Sequence, residues 1–242
     1  MMKKPITSFL TVIGAFAIVF LCSCSANIEA RLQHDGSAEI KLEASLESQI
    51  AGLLRRLSTN FGLPFAMDAE SMSRSMASAP GISEVHLYNE SPTALKGSFS
   101  LPKINDFLQT GTGEVGRFIK YSQDNRGGSL AINIDLERSP QLLALFSEDV
   151  RNYLAAIMAP AESGIPQSQK EYLEGVASMY GSVLAQEIAG ARIKLAIIVP
   201  GTIKSIRGGT FSQDRGDFDI PLIDFLVLDH PLDYEIVWQW WL

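Results

Sequence analysis

The sequence predicts an α+β fold, built mostly of an antiparallel sheet with an inserted helical hairpin. Three patterns support this prediction. Residues 28–46 alternate between apolar and polar on either side of an Asp-Gly pair, which is typical of two strands joined by a tight turn. Apolar residues at helical spacing fill 139–190, and alternation returns after it. Strands interrupted by one block of helices favour an α+β fold over a regularly alternating one.

The spacing of the apolar residues predicts the first elements. The hairpin turns at His34-Asp35-Gly36-Ser37, because Asp and Gly both tolerate positive φ. A helix follows from about residue 48 to 57, and either Ser45 or Ser48 is a suitable cap for its first turn. A second short helix is predicted at 68–77.

Three methionines, Met67, Met72 and Met76, accompany this second helix. A methionine stripe is typical of an adaptable lipid-binding face or of gap-filling core residues, and we favour the core.

The middle of the chain reads as short strands and turns. Alternation and Gly-containing breaks predict strands at 82–89 and 93–101, a short helix at 104–109, and a hairpin over 114–136 that turns at Gly127-Gly128.

The helical insertion is predicted to hold two helices. Ser139 is a suitable cap and Pro140 suits the first helical position, so one helix begins there and runs to about residue 159. The second is predicted from about 168 to 188.

The last quarter is predicted to return to strands. A buried strand is expected at 191–199 and another at 203–206, and the apolar segments 218–228 and 234–241 are expected to close the sheet. Trp238 is expected in the core, whereas Trp241 suits either the core or the headgroup zone of a membrane.

The N-terminus predicts export. Lys3 and Lys4 precede an uncharged apolar stretch over 6–21, which is shorter than the roughly 20 residues of a membrane-spanning helix. A basic start, a short apolar middle and small residues at the end are typical of a signal peptide, which we place at 1–23.

The two cysteines of the chain stand at the end of this stretch. The segment Leu21-Cys22-Ser23-Cys24 resembles the lipobox of bacterial lipoproteins, with an apolar residue three positions before the modified cysteine and a small one directly before it. The resemblance implies that Cys24 is lipidated and that Cys22 leaves with the signal peptide. A metal or redox pair is the competing interpretation, but it lacks a companion Cys or His nearby.

Residues 24–242 are expected to form a single α+β domain. Lipidation of Cys24 predicts the cellular location of this domain. The acyl chains on Cys24 would hold the body on a membrane outside the cytoplasm, in the periplasm or at the cell surface. Loss of Lys3 and Lys4 with the signal peptide changes the formal charge from −7 to −9. Because phosphate binding needs clustered Lys and Arg, nucleic acid is not an expected partner.

The residues of the body indicate no catalytic centre. His34, His86 and His230 are far apart in sequence, and none belongs to a zinc or hydrolase motif. Asp214, Asp217 and Asp219 could supply oxygen ligands to calcium, but their spacing is not that of an EF-hand, and we favour a solvated turn. We therefore expect no catalytic residue, no metal and no cofactor.

The tripeptide Arg215-Gly216-Asp217 resembles the integrin-recognition motif. On an exposed loop tip it would suit a bacterial adhesin, although such short motifs often occur by chance.

The combination of Cys24, "IEARLQHDGSAEIKLEASL" and "ARIKLAIIVPGTIKSIRGG" resembles the LppM-type envelope lipoproteins. The resemblance implies an α+β envelope domain that handles lipid or glycolipid, and it supplies no catalytic residue. A tryptophan often follows the glycine turn in that family, whereas Phe211 or Phe218 stands nearby in this sequence.

We therefore predict a membrane-anchored, non-catalytic lipoprotein that binds a lipid, another apolar ligand or an envelope partner. A lipid carrier would need a deep apolar cavity between the sheet and the helices. A surface-exposed adhesin or a structural lipoprotein is the alternative. An enzyme comes third, since it needs a cleft where distant carboxylates and a histidine meet.

Overall fold

A computed structural model describes residues 25–61, 67–109, 114–143 and 148–240. The predicted signal peptide 1–23, with Leu21, Cys22 and Ser23 of the lipobox, lies outside the described residues, as do Cys24 and Trp241. The described chain is α+β with mostly antiparallel pairing, which confirms the predicted fold class.

The larger sheet contains seven strands of the described chain. They are β1 Ser25–Leu32, β2 Ala38–Ser45, β3 Ser83–Ser91, β4 Ala94–Leu101, β7 Arg192–Ile198, β9 Thr210–Ser212 and β10 Arg215–Pro221. Their order is β3-β4-β2-β1-β7-β10-β9. Pairing among them is antiparallel except between β1 and β7, which are parallel.

A smaller, wholly antiparallel sheet accounts for the remaining described strands. They are β5 Ile119–Gln123, β6 Gly127–Ile134, β8 Gly201–Arg207 and β11 Leu232–Trp240, in the order β5-β6-β11-β8. The sequence patterns predict these strands but not their separation into a second sheet.

The helices of the described residues lie before, between and after these strands. They are α1 Ser48–Phe61, α2 Ala69–Ala77, α3 Ile104–Gln109, α4 Ser139–Leu143, α5 Glu148–Ala156, α6 Pro160–Ser163, α7 Gln169–Tyr180, α8 Ser182–Gly190 and α9 Leu222–Val227. A 3₁₀ turn covers Glu114–Arg117.

The helical insertion is more divided than the two predicted helices. Five helical segments cover its described residues, and the predicted second helix is broken between α7 and α8 at Gly181. Gly181 has φ 97° and ψ 154°, a conformation that costs a side-chain-bearing residue considerable strain. Ser168 and Glu171 form a capping box at the start of α7, which confirms the predicted beginning of that helix.

The segment 218–228, predicted as a strand, divides into the end of β10 and helix α9. Leu222, Ile223, Leu226 and Val227 are buried, whereas Asp224 and Phe225 between them are partly exposed. That is helical spacing inside an apolar run, so the strand prediction for 222–227 is wrong.

The core lies between the inner face of the larger sheet and a layer formed by the helices and the smaller sheet. Ala26, Ile28, Ala30 and Leu32 of β1 are buried in strict alternation. Phe218 of β10 meets Tyr234 of β11 edge to face, with ring centroids 5.5 Å apart, and so joins the two sheets. Met67, Met72 and Met76 are at most 5% exposed, which confirms their prediction as core residues.

Candidate functional site

The outer face of the larger sheet is polar. Alternation places the following side chains outward on β1, β2, β7 and β10: Asn27, Glu29, Arg31, Glu39, Lys41, Glu43, Arg192, Lys194, Arg215, Asp217 and Asp219. All of these residues are at least partly exposed to solvent. Four neighbouring strands therefore present a continuous charged surface on the side opposite the core.

The strand register arranges these side chains in rows across the sheet. In one row, Asn27 lies between Glu43 on β2 and Lys194 on β7, and Lys194 faces Asp219 on β10. In the next row, Glu29 lies between Lys41 and Ala196. Ala196 also faces Asp217 and is 6% exposed, so a small side chain lies between longer ones.

An open groove of about 850 Å³ follows these rows. The turn at Gly208–Thr210 forms one wall beyond β10. The polar side chains that line it come from β1, β2, β7 and β10: Asn27, Glu29, Lys41, Glu43, Lys194, Arg215, Asp217 and Asp219. Since neighbouring strands are about 4.8 Å apart, the groove extends roughly 15–20 Å across the sheet. We call it the polar groove.

Ion pairs hold Arg215 and Arg192 against carboxylates that line the polar groove. The Nη1 of Arg215 lies 2.9 Å from Oε2 of Glu29, and its Nε lies 2.9 Å from Oδ1 of Asp217. Arg192 holds Asp219 with two hydrogen bonds of 3.0 and 3.1 Å. The hydrogen bond from Arg192 lowers the pKa of Asp219, and the one to Glu29 raises the pKa of Arg215. Asp219 and Arg215 are therefore charged at neutral pH.

The sequence patterns did not indicate this site. Its members come from residues 27 to 219, and only the register of four strands brings them together. A weak signal was present, since Glu29 and Arg31, Lys41 and Glu43, and Asp217 and Asp219 are charged pairs at strand spacing. Which of these pairs share one face could not be read from spacing alone.

The adhesion tripeptide lies within this surface rather than at a loop tip. Arg215, Gly216 and Asp217 begin strand β10, and the side chains of Arg215 and Asp217 bind each other. Gly216 is buried, and a Cβ there would lie 2.8 Å from Cδ1 of Ile236. The tripeptide is therefore extended, and its arginine and aspartate are paired with neighbours. This placement does not match the exposed loop tip that an adhesin requires.

A small apolar cavity lies where several described helices meet. A cavity of about 30 Å³ lies among Ile50, Leu54, Leu154, Leu184 and Leu226. Sites for small-molecule ligands typically have volumes of about 300–1,000 Å³. This cavity is large enough for a water molecule but not for an acyl chain.

The three histidines lie in the places that their sequence context predicts. His34 is in the first turn, His86 is in β3, and His230 is in the turn before β11. Within the described ranges, no three His, Cys, Asp or Glu side chains come together as a metal site would require. Asp217 and Asp219 lie in strand β10, not in a solvated turn, and pair with different arginines.

Trp240 lies at the opposite end of β1 from Ser25. Trp238 is 2% exposed, as predicted for a core residue. The ring of Trp240 lies 4.4 Å from that of His34, and His34 belongs to the turn that follows β1. Ser25 faces Ser45 and Arg192 at the other end, and its Oγ is 2.8 Å from Oγ of Ser45.

In the part of the chain that the structure describes, no helix combines the length and hydropathy needed to cross a membrane.

Comparison with known proteins gives one distant likeness. No family model matches the chain, and no curated protein matches it. Among solved structures, the chain is similar to the NMR structure of the folded domain of LppM from Mycobacterium tuberculosis. The two are 9% identical, 89% of each chain is covered, and the TM-score is 0.40. This likeness identifies no ligand or activity.

Proposed function

We propose that the chain is a bacterial envelope lipoprotein, anchored through Cys24, whose body binds an envelope partner in the polar groove and performs no catalysis. The observation that carries the proposal is the segment Leu21-Cys22-Ser23-Cys24, which resembles a lipobox and stands directly before the α+β body described from Ser25 onward. Two or more acyl chains on Cys24 would then anchor the body stably.

The position of β1 links the anchor to the polar groove. β1 lies between β2 and β7 inside the larger sheet, and Asn27 and Glu29 on it line the groove. A strand rises about 3.3 Å per residue, so the groove lies within roughly 20 Å of Cys24. A partner bound there would lie close to the membrane surface.

The groove suits an extended polar partner better than an acyl chain. It crosses several strands and is lined by both acidic and basic side chains. Such an arrangement can hydrogen-bond and ion-pair with a polypeptide segment, and mixed charges contribute specificity and orientation more than affinity. By contrast, the apolar cavity of about 30 Å³ among the described helices is too small for a lipid chain. We therefore favour an envelope protein over a carried lipid.

Fatty-acid labelling tests the anchor. In a bacterial host that processes lipoproteins, the native chain and a Cys22→Ala variant should incorporate labelled palmitate, whereas Cys24→Ala should incorporate none. Retention of label by Cys24→Ala would contradict the proposed anchor.

Site-specific photo-crosslinking tests the groove. A photoreactive amino acid at Lys194, inside the groove, should give discrete adducts with an envelope protein in cells. Lys204 is also exposed but does not line the groove, and it serves as the matched control. The same adducts at both positions, or adducts at neither, would argue against the groove as the binding site.

Lipid analysis separates the two ligand classes. Mass spectrometry of the acyl-free body, produced from Ser25 onward, should find no stoichiometric lipid. One copurified lipid per protein would favour the carrier function instead.

A further inference from the structure

One residue on the outer face of the larger sheet is buried although its side chain points outward. Ala196 of β7 lies in the same row as Glu29 and Asp217, which line the polar groove from the neighbouring strands. Both carboxylates are partly exposed, whereas Ala196 is only 6% exposed. A group on the outer face must therefore cover Ala196.

The guanidinium of Arg215 provides this cover. Its Nη1 lies 2.9 Å from Oε2 of Glu29, on one side of Ala196, and its Nε lies 2.9 Å from Oδ1 of Asp217, on the other side. Strands β1 and β10 are roughly 10 Å apart, because β7 lies between them. A group that binds both carboxylates therefore lies above β7, over the methyl group of Ala196.

This arrangement fixes the position of the guanidinium. Glu29 and Asp217 hold it from two sides, and the small side chain of Ala196 leaves room for it above the strand. A longer side chain at residue 196 would displace it. Arg215 is therefore preorganised, so a molecule that binds it loses little free energy in ordering the arginine.

Part of the guanidinium remains available to a partner. A guanidinium carries N–H groups on Nε, Nη1 and Nη2, and Glu29 and Asp217 accept hydrogen bonds from only the first two nitrogens. In the part of the chain that the structure describes, Nη2 of Arg215 has no acceptor. The side chain is 44% exposed and lines the polar groove, so a bound molecule can approach this nitrogen.

The charges around Arg215 favour a neutral acceptor. The lining of the polar groove contains four carboxylates and three cations, so an anionic group would gain no net attraction there. Glu29 and Asp217 would repel an anion at Nη2 most strongly, because they are bound to the same guanidinium. A peptide carbonyl oxygen can accept the same hydrogen bond without that repulsion.

A free carbonyl oxygen also defines the shape of the partner. Main-chain carbonyls inside helices and sheets are already hydrogen-bonded, whereas an extended or irregular segment keeps its carbonyls available. The polar groove crosses four strands, and a length of roughly 15–20 Å holds about five residues of an extended chain. The groove therefore suits an extended polypeptide segment.

We propose that Arg215, held over Ala196 by Glu29 and Asp217, binds a main-chain carbonyl of an extended segment of the envelope partner. This inference rests on the proposed function, because it concerns the same groove. Arg215 makes the contact, and the other three residues position it. Such a contact does not depend on the partner's side chain at that point, but it determines where the segment lies in the groove.

Crosslinking in cells tests this assignment. The full chain carries the photoreactive amino acid at Lys194, and adduct yield is compared among the otherwise native chain, Arg215→Lys and Ala196→Leu. Lysine keeps the charge but lacks the planar fork, and leucine keeps the arginine but occupies the place of its guanidinium. Arg207→Lys is the matched control, because Arg207 is an exposed arginine that pairs with two carboxylates outside the groove.

We expect Arg215→Lys and Ala196→Leu each to lower the adduct yield about tenfold, as for loss of a hydrogen bond from a charged group. Arg207→Lys should change it by less than about twofold, because the altered ion pair is exposed and outside the groove. Unfolding midpoints of the same chains identify a variant that loses adducts because it no longer folds. Arg215→Lys replaces an exposed side chain and should keep the native midpoint.

Peptide mapping of the native adduct provides the second readout. Mass spectrometry should find a polypeptide segment, and replacing its Asp and Glu residues by Asn and Gln should leave the adduct yield unchanged. A yield that falls with these replacements would show that a partner carboxylate is bound, and an adduct with a glycan or a lipid would exclude a polypeptide. Either result overturns the proposal.

The same experiment separates the two levels of the argument. Absence of any adduct in the native chain contradicts the proposed function itself. Native adducts whose yield Arg215→Lys leaves unchanged contradict only the contact at Arg215.

Discussion

The two faces of the larger sheet differ although the same strands build both. On β10, Phe218 and Ile220 are buried on the inner face, whereas Asp217 and Asp219, their neighbours in sequence, are exposed on the outer face. The inner face packs into the core that the helices and the smaller sheet complete. The outer face carries ion pairs whose members are about one third to one half exposed.

This difference suggests that the inner face of each strand provides stability and the outer face provides recognition. Burial of an apolar side chain removes surface from water and stabilises the fold by about 1.5–3 kcal/mol per large residue. An exposed ion pair contributes at most about 1 kcal/mol, because solvent screens it. The inner face should therefore determine whether the protein folds, and the outer face what it binds. Four predictions test this division, from the largest expected effect to the smallest.

Phe218→Ala should lower the free energy of unfolding by about 3–5 kcal/mol. Phe218 is 3% exposed and packs edge to face on Tyr234, so truncation leaves a cavity between the sheets. Chemical denaturation measures the change. A loss below about 1 kcal/mol would mean that the two sheets are not joined through this contact.

Gly216→Ala should lower the free energy of unfolding by about 1 kcal/mol, the low end of the range for overpacking. The added methyl would lie 2.8 Å from Cδ1 of Ile236 and 3.0 Å from Cδ1 of Ile206, and both are flexible side-chain ends that can shift. The same denaturation experiment measures it. Since Arg215 and Asp217 stay in place, crosslinking at Lys194 should not change, and its loss would contradict the separation of the faces.

Asp219→Ala should lower the free energy of unfolding by only about 0.2–1 kcal/mol, and added salt should diminish the difference. Its partner Arg192 is exposed and can be solvated once the carboxylate is gone. A loss as large as that of Phe218→Ala would show that the outer face also holds the fold together. Crosslinking at Lys194, beside Asp219 in register, should decrease in this variant.

The loss of folding stability at acid pH should also reflect the ion pair between Arg192 and Asp219. The hydrogen bond from Arg192 lowers the pKa of Asp219 below its ordinary value of 3.8. The stabilisation is therefore present above pH 3.8 and is lost as the pH falls through the lower pKa of the folded state. Unfolding midpoints between about pH 5 and pH 2 should decline less steeply for Asp219→Asn than for the native chain. Parallel curves would mean that the pair does not persist in solution.

Local sequence patterns predicted those elements that depend only on residues close together in sequence. The Asp35-Gly36 turn and the alternation around it correctly indicated β1 and β2, and apolar residues at helical spacing correctly placed the start of α7 near residue 168. The break at Gly181 was missed because apolar residues continue at helical spacing across it, and spacing does not report the φ of a single glycine. Helix α9 was missed because it lies in a mostly apolar run. The sequence does not show that Asp224 and Phe225 within this run are partly exposed.

Long-range pairing could not be predicted in the same way. Nothing near β1 in sequence indicates that its second neighbour is β7, because the register depends on packing across the whole sheet. The polar groove depends on that register, since Asn27 and Lys194 meet only when β1 and β7 pair. The lipidation of Cys24 was predicted from the local lipobox pattern, without any knowledge of the fold. It stays a prediction until labelling tests it.

The parallel pairing of β1 with β7 also imposes an order on folding. β1 is the first strand of the described chain to emerge during synthesis or translocation, and β2 can pair with it at once. Its other edge stays open until residues 192–198 have emerged, more than 150 residues later. Such distant contacts form slowly, because closing a long loop costs entropy before any contact forms. Until then the half-finished sheet exposes a strand edge that could pair wrongly, and a chaperone able to cover β1 for that interval would protect it.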